Sequence, residues 1–259
     1  MTKRNVPLQV KNLCFDARGI RLIKDVSFDL TAGSRLMVLG ANGAGKSLLM
    51  RLCHGLLVPH SGTVQWGEGQ EGKMIRQAMV FQRPVMLRRT ALANIAYGLK
   101  CKGVARRSRR DIAFDFLSRV GLARLANHPA RLLSFGEQQR LALARAWAME
   151  PDVLFMDEPT ASLDPSATHA IEEITRLIAE EGTTIMMSTH DLGQAKRLGS
   201  DVLFLHRGRV LEQAGVQDFF QQPKNDLAQA FVRGELLWWK KKKDLYPGGG
   251  IEQIPSDRI

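Results

Sequence analysis

Gly40-Ala41-Asn42-Gly43-Ala44-Gly45-Lys46-Ser47 carries the spacing GxxxxGK[ST]. Glycines at these positions let backbone N–H groups close around phosphate oxygens without Cβ clashes, and a helix opening after the loop adds partial positive charge. Lys46 is placed to reach β- and γ-phosphates, and the Ser47 hydroxyl is a magnesium ligand. The residues expected to touch a nucleotide are Gly40, Asn42, Gly43, Ala44, Gly45, Lys46, Ser47 and Leu48. A second candidate is Asp157-Glu158, which ends the apolar run Val153-Leu154-Phe155-Met156. Asp157 suits magnesium, usually through water, and Glu158 suits orienting or deprotonating an attacking water. A glycine turn alone would account for the first motif, and a helix-capping acid pair before Pro159 for the second. Their presence in one chain favours chemistry on a nucleotide phosphate.

Such groups must be held at one edge of a sheet, because in open parallel sheets ligands gather outside the carboxyl ends of the strands. The pattern supplies suitable elements. Leu36–Leu39, Val153–Met156 and Thr184–Met187 are short continuous apolar runs, as in strands buried on both faces. Met79-Val80-Phe81 is another short strand candidate, and Ser47–His54 reads as a helix. The first thirty residues read as strands, with Leu8, Val10, Leu13 and Phe15, then Ile20, Leu22 and Ile23 after the turn Arg18-Gly19, then Val26, Phe28 and Leu30. Residues 85–150 look helical and free of strands: Ile112, Phe116, Leu117 and Val120 share one helix face, and Leu141, Ala144, Arg145 and Ala148 continue a helix begun near Phe135. A helix over 168–181 would turn Ile171, Ile174, Leu177 and Ile178 inward and end at Gly182. Val202–Leu205 and Val210-Leu211 flank Arg207-Gly208, a hairpin signal. Strands alternating with helices predict an α/β fold with a parallel sheet covered on both faces.

The chain has 259 residues, 44% hydrophobic and 24% charged, which excludes disordered, collagen-like and fibrous classes. Its formal charge of +11 calls for an anionic partner: nucleic acid, a membrane surface or phosphate-bearing ligands. Cys14, Cys53 and Cys101 are widely spaced with no CxxC, so neither a zinc site nor a disulfide framework is indicated. The N-terminus lacks the apolar stretch of a signal peptide, and no run reaches the roughly 18 apolar residues of a membrane-spanning helix.

Leu133-Ser134-Phe135-Gly136-Glu137-Gln138-Gln139-Arg140 resembles the signature of ATP-binding-cassette (ABC) ATPases, usually Leu-Ser-Gly-Gly-Gln or Leu-Ser-Gly-Gly-Glu with a following Gln-Gln-Arg. In the family's order, Phe81-Gln82 resembles the Q-loop, Ala161-Ser162-Leu163-Asp164 the D-loop and Ser188-Thr189-His190-Asp191 the switch-histidine loop. Phe15 resembles the aromatic that stacks on adenine, with a core strand aromatic as the competing reading. The resemblance covers about residues 8–239. It implies a P-loop NTPase (RecA-like) core with a parallel sheet, an N-terminal antiparallel β-subdomain and a helical signature subdomain. Residues 1–239 would form one ABC ATPase domain, with 1–82 and 151–239 as core plus β-subdomain and 83–150 as the helical part. It further implies ATP and Mg2+ as ligands, Glu158, His190 and Gln82 as catalytic residues, and Ser47, Gln82 and Asp157 around the metal. Ser134, Gly136, Gln138 and Asp164 would then contact a nucleotide held by a second subunit, in a head-to-tail homodimer that sandwiches two ATPs. Phe135 departs from the family, standing where the first signature glycine is usual; its side chain must point away from phosphate or narrow the site.

The sequence reads as one cassette with no transmembrane segment and no long coiled coil, and no C-terminal regulatory domain is expected, a plan that resembles the ATPase subunit of an importer. That implies a peripheral place on the cytoplasmic face of the cell membrane, integral-membrane permease subunits as partners, and an extracytoplasmic solute-binding protein acting indirectly. Residues 80–87, with Asn94 and Tyr97-Gly98-Leu99, look like the region that holds a permease's coupling helix. The stretches 133–140, 190–195, 205–209 and Gly234–Trp238 resemble tungstate importer ATPases; phosphate, molybdate and amino-acid importers share much of the remainder. A soluble ABC ATPase acting in assembly or on nucleic acid is the alternative of a different class. Residues 83–110 carry nine Lys/Arg and no Asp/Glu, so the positive charge is focused where the resemblance places the permease and the membrane surface, and no nucleic-acid partner is expected. The tail 240–259 reads as basic and disordered, and Trp238-Trp239 beside it as either a packing patch or a membrane-interface contact.

Overall fold

Apolar alternation buries one face of two long strands, β1 (Leu8–Ala17) and β2 (Ile20–Leu30), joined by left-handed Arg18 and Gly19. In the computed structural model, which describes residues 8–67 and 75–235, β1 lies between β2 and β4 (Ser61–Trp66) in an antiparallel three-stranded sheet. The strand β4 carries little local signal, since Ser-Gly-Thr-Val-Gln-Trp has no sustained apolar alternation; pairing with β1 decides it.

The second sheet has six strands: β3 (Arg35–Leu39), β5 (Gln77–Val80), β6 (Val153–Asp157), β7 (Thr184–Ser188), β8 (Asp201–His206) and β9 (Arg209–Gly215). Its order is β5-β6-β7-β3-β8-β9, parallel throughout except for the terminal β8–β9 hairpin. Both faces are buried. Met37, Leu39, Leu154, Met156, Ile185, Met187, Val202 and Phe204 join the core beneath the helices, while Leu36, Val38, Val153, Phe155, Met186, Leu203 and Leu205 pack toward the antiparallel sheet and α1 (Lys46–His54). This is the α/β P-loop NTPase-type arrangement expected from the motifs.

Residues 83–150 hold α2 (Ala91–Cys101), α3 (Arg106–Arg119) and α4 (Phe135–Trp147), with short 3-10 turns at Ala123–Leu125 and Ala130–Leu132 and no strand. The predicted helix over 168–181 is α5 (Pro165–Glu180), which begins three residues earlier because Asp164 accepts from the Ala167 amide and Pro165 suits the first turn. One expected inward residue is wrong. Leu177 is 43% exposed, whereas Ile171, Ile174 and Ile178 are buried; the buried stripe follows their i, i+3, i+7 spacing, and Leu177 falls off its edge. Three shorter helices follow: α6 (Leu192–Leu198), α7 (Val216–Gln221) and α8 (Asp226–Val232). No helix among the described residues is long and apolar enough to cross a membrane. Leu236, Leu237, Trp238, Trp239 and the tail 240–259 lie outside the described residues.

The tip of the β8–β9 hairpin braces the phosphate loop. The Gly208 amide donates to the Ala44 carbonyl at 2.9 Å, and the Gly208 carbonyl accepts from the Lys24 amide at 2.8 Å. Gly208 has φ 78°, and a Cβ there would lie 1.9 Å from the Leu22 carbonyl oxygen. Gly19 has a similar φ of 76° but open space around it. In denaturant unfolding, Gly208→Ala is expected to lose about 3 kcal/mol or more, and Gly19→Ala only about 1 kcal/mol.

Candidate functional site

The chain leaves β3 at Leu39, turns through 40–45 and enters α1 at Lys46. The helix is capped by Gly45 at φ 104° with no side-chain cap and no acid in its first turn. Its first amides are thus left to an external acceptor, the arrangement that suits an anion. Lys46 is buried, its Nζ 2.9 Å from the Gly40 carbonyl, 3.3 Å from the Ala41 carbonyl and 3.2 Å from Glu158 Oε1. Asn42, Gly43, Ala44, Gly45, Lys46, Ser47 and Leu48 line a cleft of about 260 Å³ together with Leu22 and Glu158.

Strand register brings the other groups to the same edge. Asp157 of β6 pairs with Ser188 of β7, and Val38 of β3 pairs with Ser188 on its other side. Ser47 Oγ donates to Asp157 Oδ1 at 2.7 Å, and Ser188 Oγ donates to the same oxygen at 2.8 Å. Ser188 Oγ also accepts from the Glu158 amide at 2.9 Å. Glu158 adopts φ 44°, a left-handed conformation rare for a side-chain-bearing residue and typical of sites that hold strain for function. Its carboxylate lies between Lys46 and His190, whose Nδ1 is 3.4 Å from Oε2. His190 is exposed at the end of the loop after β7, anchored by the Thr189 amide, which donates to the Val38 carbonyl at 3.3 Å.

Gln82 is exposed two residues beyond β5, whose Val80 pairs with Met156. The backbone ahead of it is held by buried Gln139 of α4, whose Nε2 donates to the Phe81 carbonyl at 3.3 Å. Ser47 and Asp157 present hard oxygens at a helix N-terminus. Among the described residues no group of three acidic, His or Cys side chains could hold a metal by itself. Magnesium fits nonetheless, because it completes its shell with phosphate oxygens and water.

Other expected site residues lie apart from this cleft. Phe15 is half-buried and packs against the core under the antiparallel sheet, while Leu22 of the facing strand lines the cleft. Ser134 caps α4 in a reciprocal box with Glu137: the Ser134 amide and hydroxyl both donate to Glu137 Oε2 at 2.8 Å. Phe135 is the half-buried first residue of that helix. Gly136 faces the start of α5, where a Cβ would come 3.1 Å from Ala167 Cβ. Gln138 donates to the Leu133 carbonyl at 2.8 Å, tightening the turn before the helix. Asp164 is exposed; hydrogen bonds from the Ser166 hydroxyl and then the Ala167 amide hold its carboxyl below the usual range.

In the region matched to a permease contact, Asn94 and Leu99 are buried rather than displayed. Asn94 accepts from the Leu87 amide at 3.0 Å and donates to the Thr90 carbonyl at 2.9 Å, so it holds the loop before α2; Val85 on that loop and Tyr97 on α2 itself are exposed. Ser188, Leu22 and Gln139 are not among the residues the sequence marks for the site. Ser188 was legible in principle as the last residue of a buried strand; the others act through tertiary contacts that no local pattern encodes.

Comparison with known proteins agrees with this geometry. The family described as ABC transporter matches residues 23–161. The phosphate import ATP-binding protein PstB 2 of Natronomonas pharaonis is 33% identical over 238 residues, covering 85% of this chain and 84% of that protein. The glutamine transport ATP-binding protein GlnQ of Escherichia coli is 31% identical over 237 residues, covering 87% and 98%. Among solved structures, cbiO1 from Clostridium perfringens, part of the ABC transporter complex cbiONQ, superposes with a TM-score of 0.75 at 28% identity, covering 88% of this chain and 96% of that one. A dimeric bacterial ABC transporter cassette gives 0.73 at 28% identity, covering 81% and 98%. With the phosphate loop, Asp157, Glu158 and His190 joined by contacts at one sheet edge, the chain belongs to the ABC transporter family and is one of its ATPases.

Proposed function

We propose that this chain is the ATP-hydrolysing subunit of a membrane importer for an oxyanion such as tungstate. The observation that carries the engine is the cleft in which Lys46, Glu158 and the capless start of α1 face one another. In this reading Lys46 exchanges its Gly40 and Glu158 contacts for nucleotide phosphate, which frees the carboxylate to accept a proton from the attacking water. His190 holds the γ-phosphate side of the cleft and Gln82 senses it from β5. Ser47 and Asp157 would hold Mg2+, which when bound neutralises charge developing on the transferred phosphate.

Ser134, Gly136, Gln138 and Asp164 serve a nucleotide bound by a second copy, as the family resemblance implies, and the working unit is a head-to-tail homodimer. The solved dimeric cassette supports that plan. Residues 83–150 act as a helical subdomain on the core formed by the rest of 1–239, and Phe15 or Leu22 packs against the adenine. Exposed Val85 and Tyr97, beside the basic run 83–110, form the side that meets permease subunits at the cytoplasmic membrane face, with a solute-binding protein linked through them. ATP binding drives closure through its greater affinity for the closed pair, and hydrolysis reopens it.

The likeness to PstB 2 and the tungstate-like stretches at 133–140, 190–195 and 205–209 support an oxyanion as cargo. Amino-acid import is the second reading, favoured by the likeness to GlnQ and to the histidine/lysine/arginine/ornithine transport protein HisP of Salmonella typhimurium, 33% identical over 242 residues. Isolation from membranes followed by reconstitution with the co-purifying permease separates them. Tungstate-loaded binding protein is expected to stimulate ATPase activity; stimulation only by amino acids selects the second reading, and stable association with DNA or ribosomes without a permease overturns import.

Two substitutions test the engine. Glu158→Gln is expected to retain ATP binding in a nucleotide titration while phosphate release falls about 100-fold or more; an undiminished rate removes Glu158 as the base. Phe135→Gly is expected to keep ATPase activity, since Ser134, Gly136 and Gln138 remain; complete loss of turnover would give the aromatic a required role.

A further inference from the structure

Behind the cleft lies a buried polar chain that the scheme above does not use. Glu172, on α5, is 2% exposed. Its carboxylate accepts from Arg197 of α6 at both oxygens, at 2.7 Å and 3.0 Å, and from Gln194 Nε2 at 3.2 Å. Arg176 adds a looser ion pair at 3.9 Å. Burial alone would raise this carboxyl, but the Arg197 and Gln194 hydrogen bonds outweigh it and leave it below the usual range. Gln194, fully buried, accepts in turn from the Thr160 hydroxyl at 3.1 Å.

Each end of this chain is tied to the site. Thr160 lies two residues after Glu158, in a turn that starts at left-handed Glu158, is closed by the Ala161 amide on the Glu158 carbonyl and is followed by left-handed Ser162. Gln194 sits in the first turn of α6, where its amide donates to Asp191 Oδ1 at 3.0 Å, and Asp191 follows His190. Glu172 sits two turns into α5, the helix that Asp164 caps. The three segments holding the proposed base, the switch histidine and the Asp164 loop are thus joined through Gln194 and the Glu172 carboxylate. A buried charge of this kind contributes little net stability over an apolar replacement of the same shape; its best-attested use is to fix one arrangement of elements.

We propose that Glu172 is a positioning residue which, through Gln194 and Thr160, holds the Glu158 turn and the His190 loop in one fixed relation. The proposal rests on the reading of Glu158 as the base. Two features distinguish it from plain packing: the link runs through a single hydroxyl, and it joins the turn at Thr160 rather than the sheet. Glu158 is therefore located from both sides, by Ser188 on its amide and by Gln194 through Thr160.

The test uses the purified full chain, with kcat and KM for ATP measured for Glu172→Gln, Thr160→Val, the pair combined, and Thr160→Ser. Glu172→Gln and Thr160→Val are each expected to lower kcat about tenfold with KM and nucleotide affinity nearly unchanged. The combined variant is expected to be no worse than the poorer single one, because both break the same link. Thr160→Ser, which keeps the hydroxyl, is expected to restore kcat. Undiminished kcat in both single variants, multiplying losses in the combined one, or a loss of Tm with kcat unchanged would overturn the proposal. Should Glu172→Gln not fold, the Thr160 pair decides alone, since valine is nearly isosteric with threonine. Glu158→Gln is assayed alongside. If it hydrolyses ATP normally the base assignment fails, whereas if it is inactive while Thr160→Val and Glu172→Gln are normal, the positioning role alone fails.

Discussion

Two hydroxyls, Ser47 Oγ and Ser188 Oγ, donate to one oxygen of Asp157, and most of the site depends on that meeting. Ser47 belongs to the helix after β3, Ser188 to the end of β7 and Asp157 to the end of β6. The three strands are adjacent and parallel, so their carboxyl ends lie abreast. A slip of one residue in the β6–β7 register would turn Asp157 to the opposite face of the sheet from Ser188's partner position and separate the acid from the phosphate loop. The register is held by burial on both faces, where each strand interlocks apolar side chains with two separate cores.

The remaining constraints are braces on loops. The phosphate loop is tied at Ala44 to the β8–β9 hairpin, whose tip is tied in turn to β2 of the antiparallel sheet. A second tie joins the sheets directly: Gln213 Nε2 of β9 donates to the Asp29 carbonyl at 2.7 Å. The left-handed turn at Glu158 is fixed by Ser188 on one side and by the Thr160–Gln194–Glu172 chain on the other. Gln139 links α4 to the backbone before Gln82. Loops that must carry chemistry are held here by buried polar contacts reaching across elements, which limits their freedom without filling the cleft with apolar side chains.

Much of this was readable along the chain. The runs 36–39, 153–156 and 184–187 are strands because a strand buried on both faces explains so short a continuous apolar segment. The hairpin at Arg207-Gly208 followed from turn chemistry. Less was legible where packing outweighs local preference. Leu177 has the composition of a core residue but lies off the buried stripe of α5, and Glu172 has the composition of a surface residue but is buried opposite Arg197. Asn94 fell in a stretch read as a partner surface, yet its amide is spent on the backbone of its own loop.

By itself, the sequence marked the candidate residues and the elements carrying them, because phosphate loops, acid pairs at strand ends and helix caps are written in spacings of a few residues. Only the tertiary structure decided which of those residues share a cleft. It placed Glu158 between Lys46 and His190, set Ser134 and Asp164 at helix starts outside that cleft, and put Leu22 rather than Phe15 on its wall. The reason is physical. Contacts between residues 110 positions apart, such as Ser47 and Asp157, depend on strand order and register, and these arise from burial across the whole sheet rather than from any local pattern.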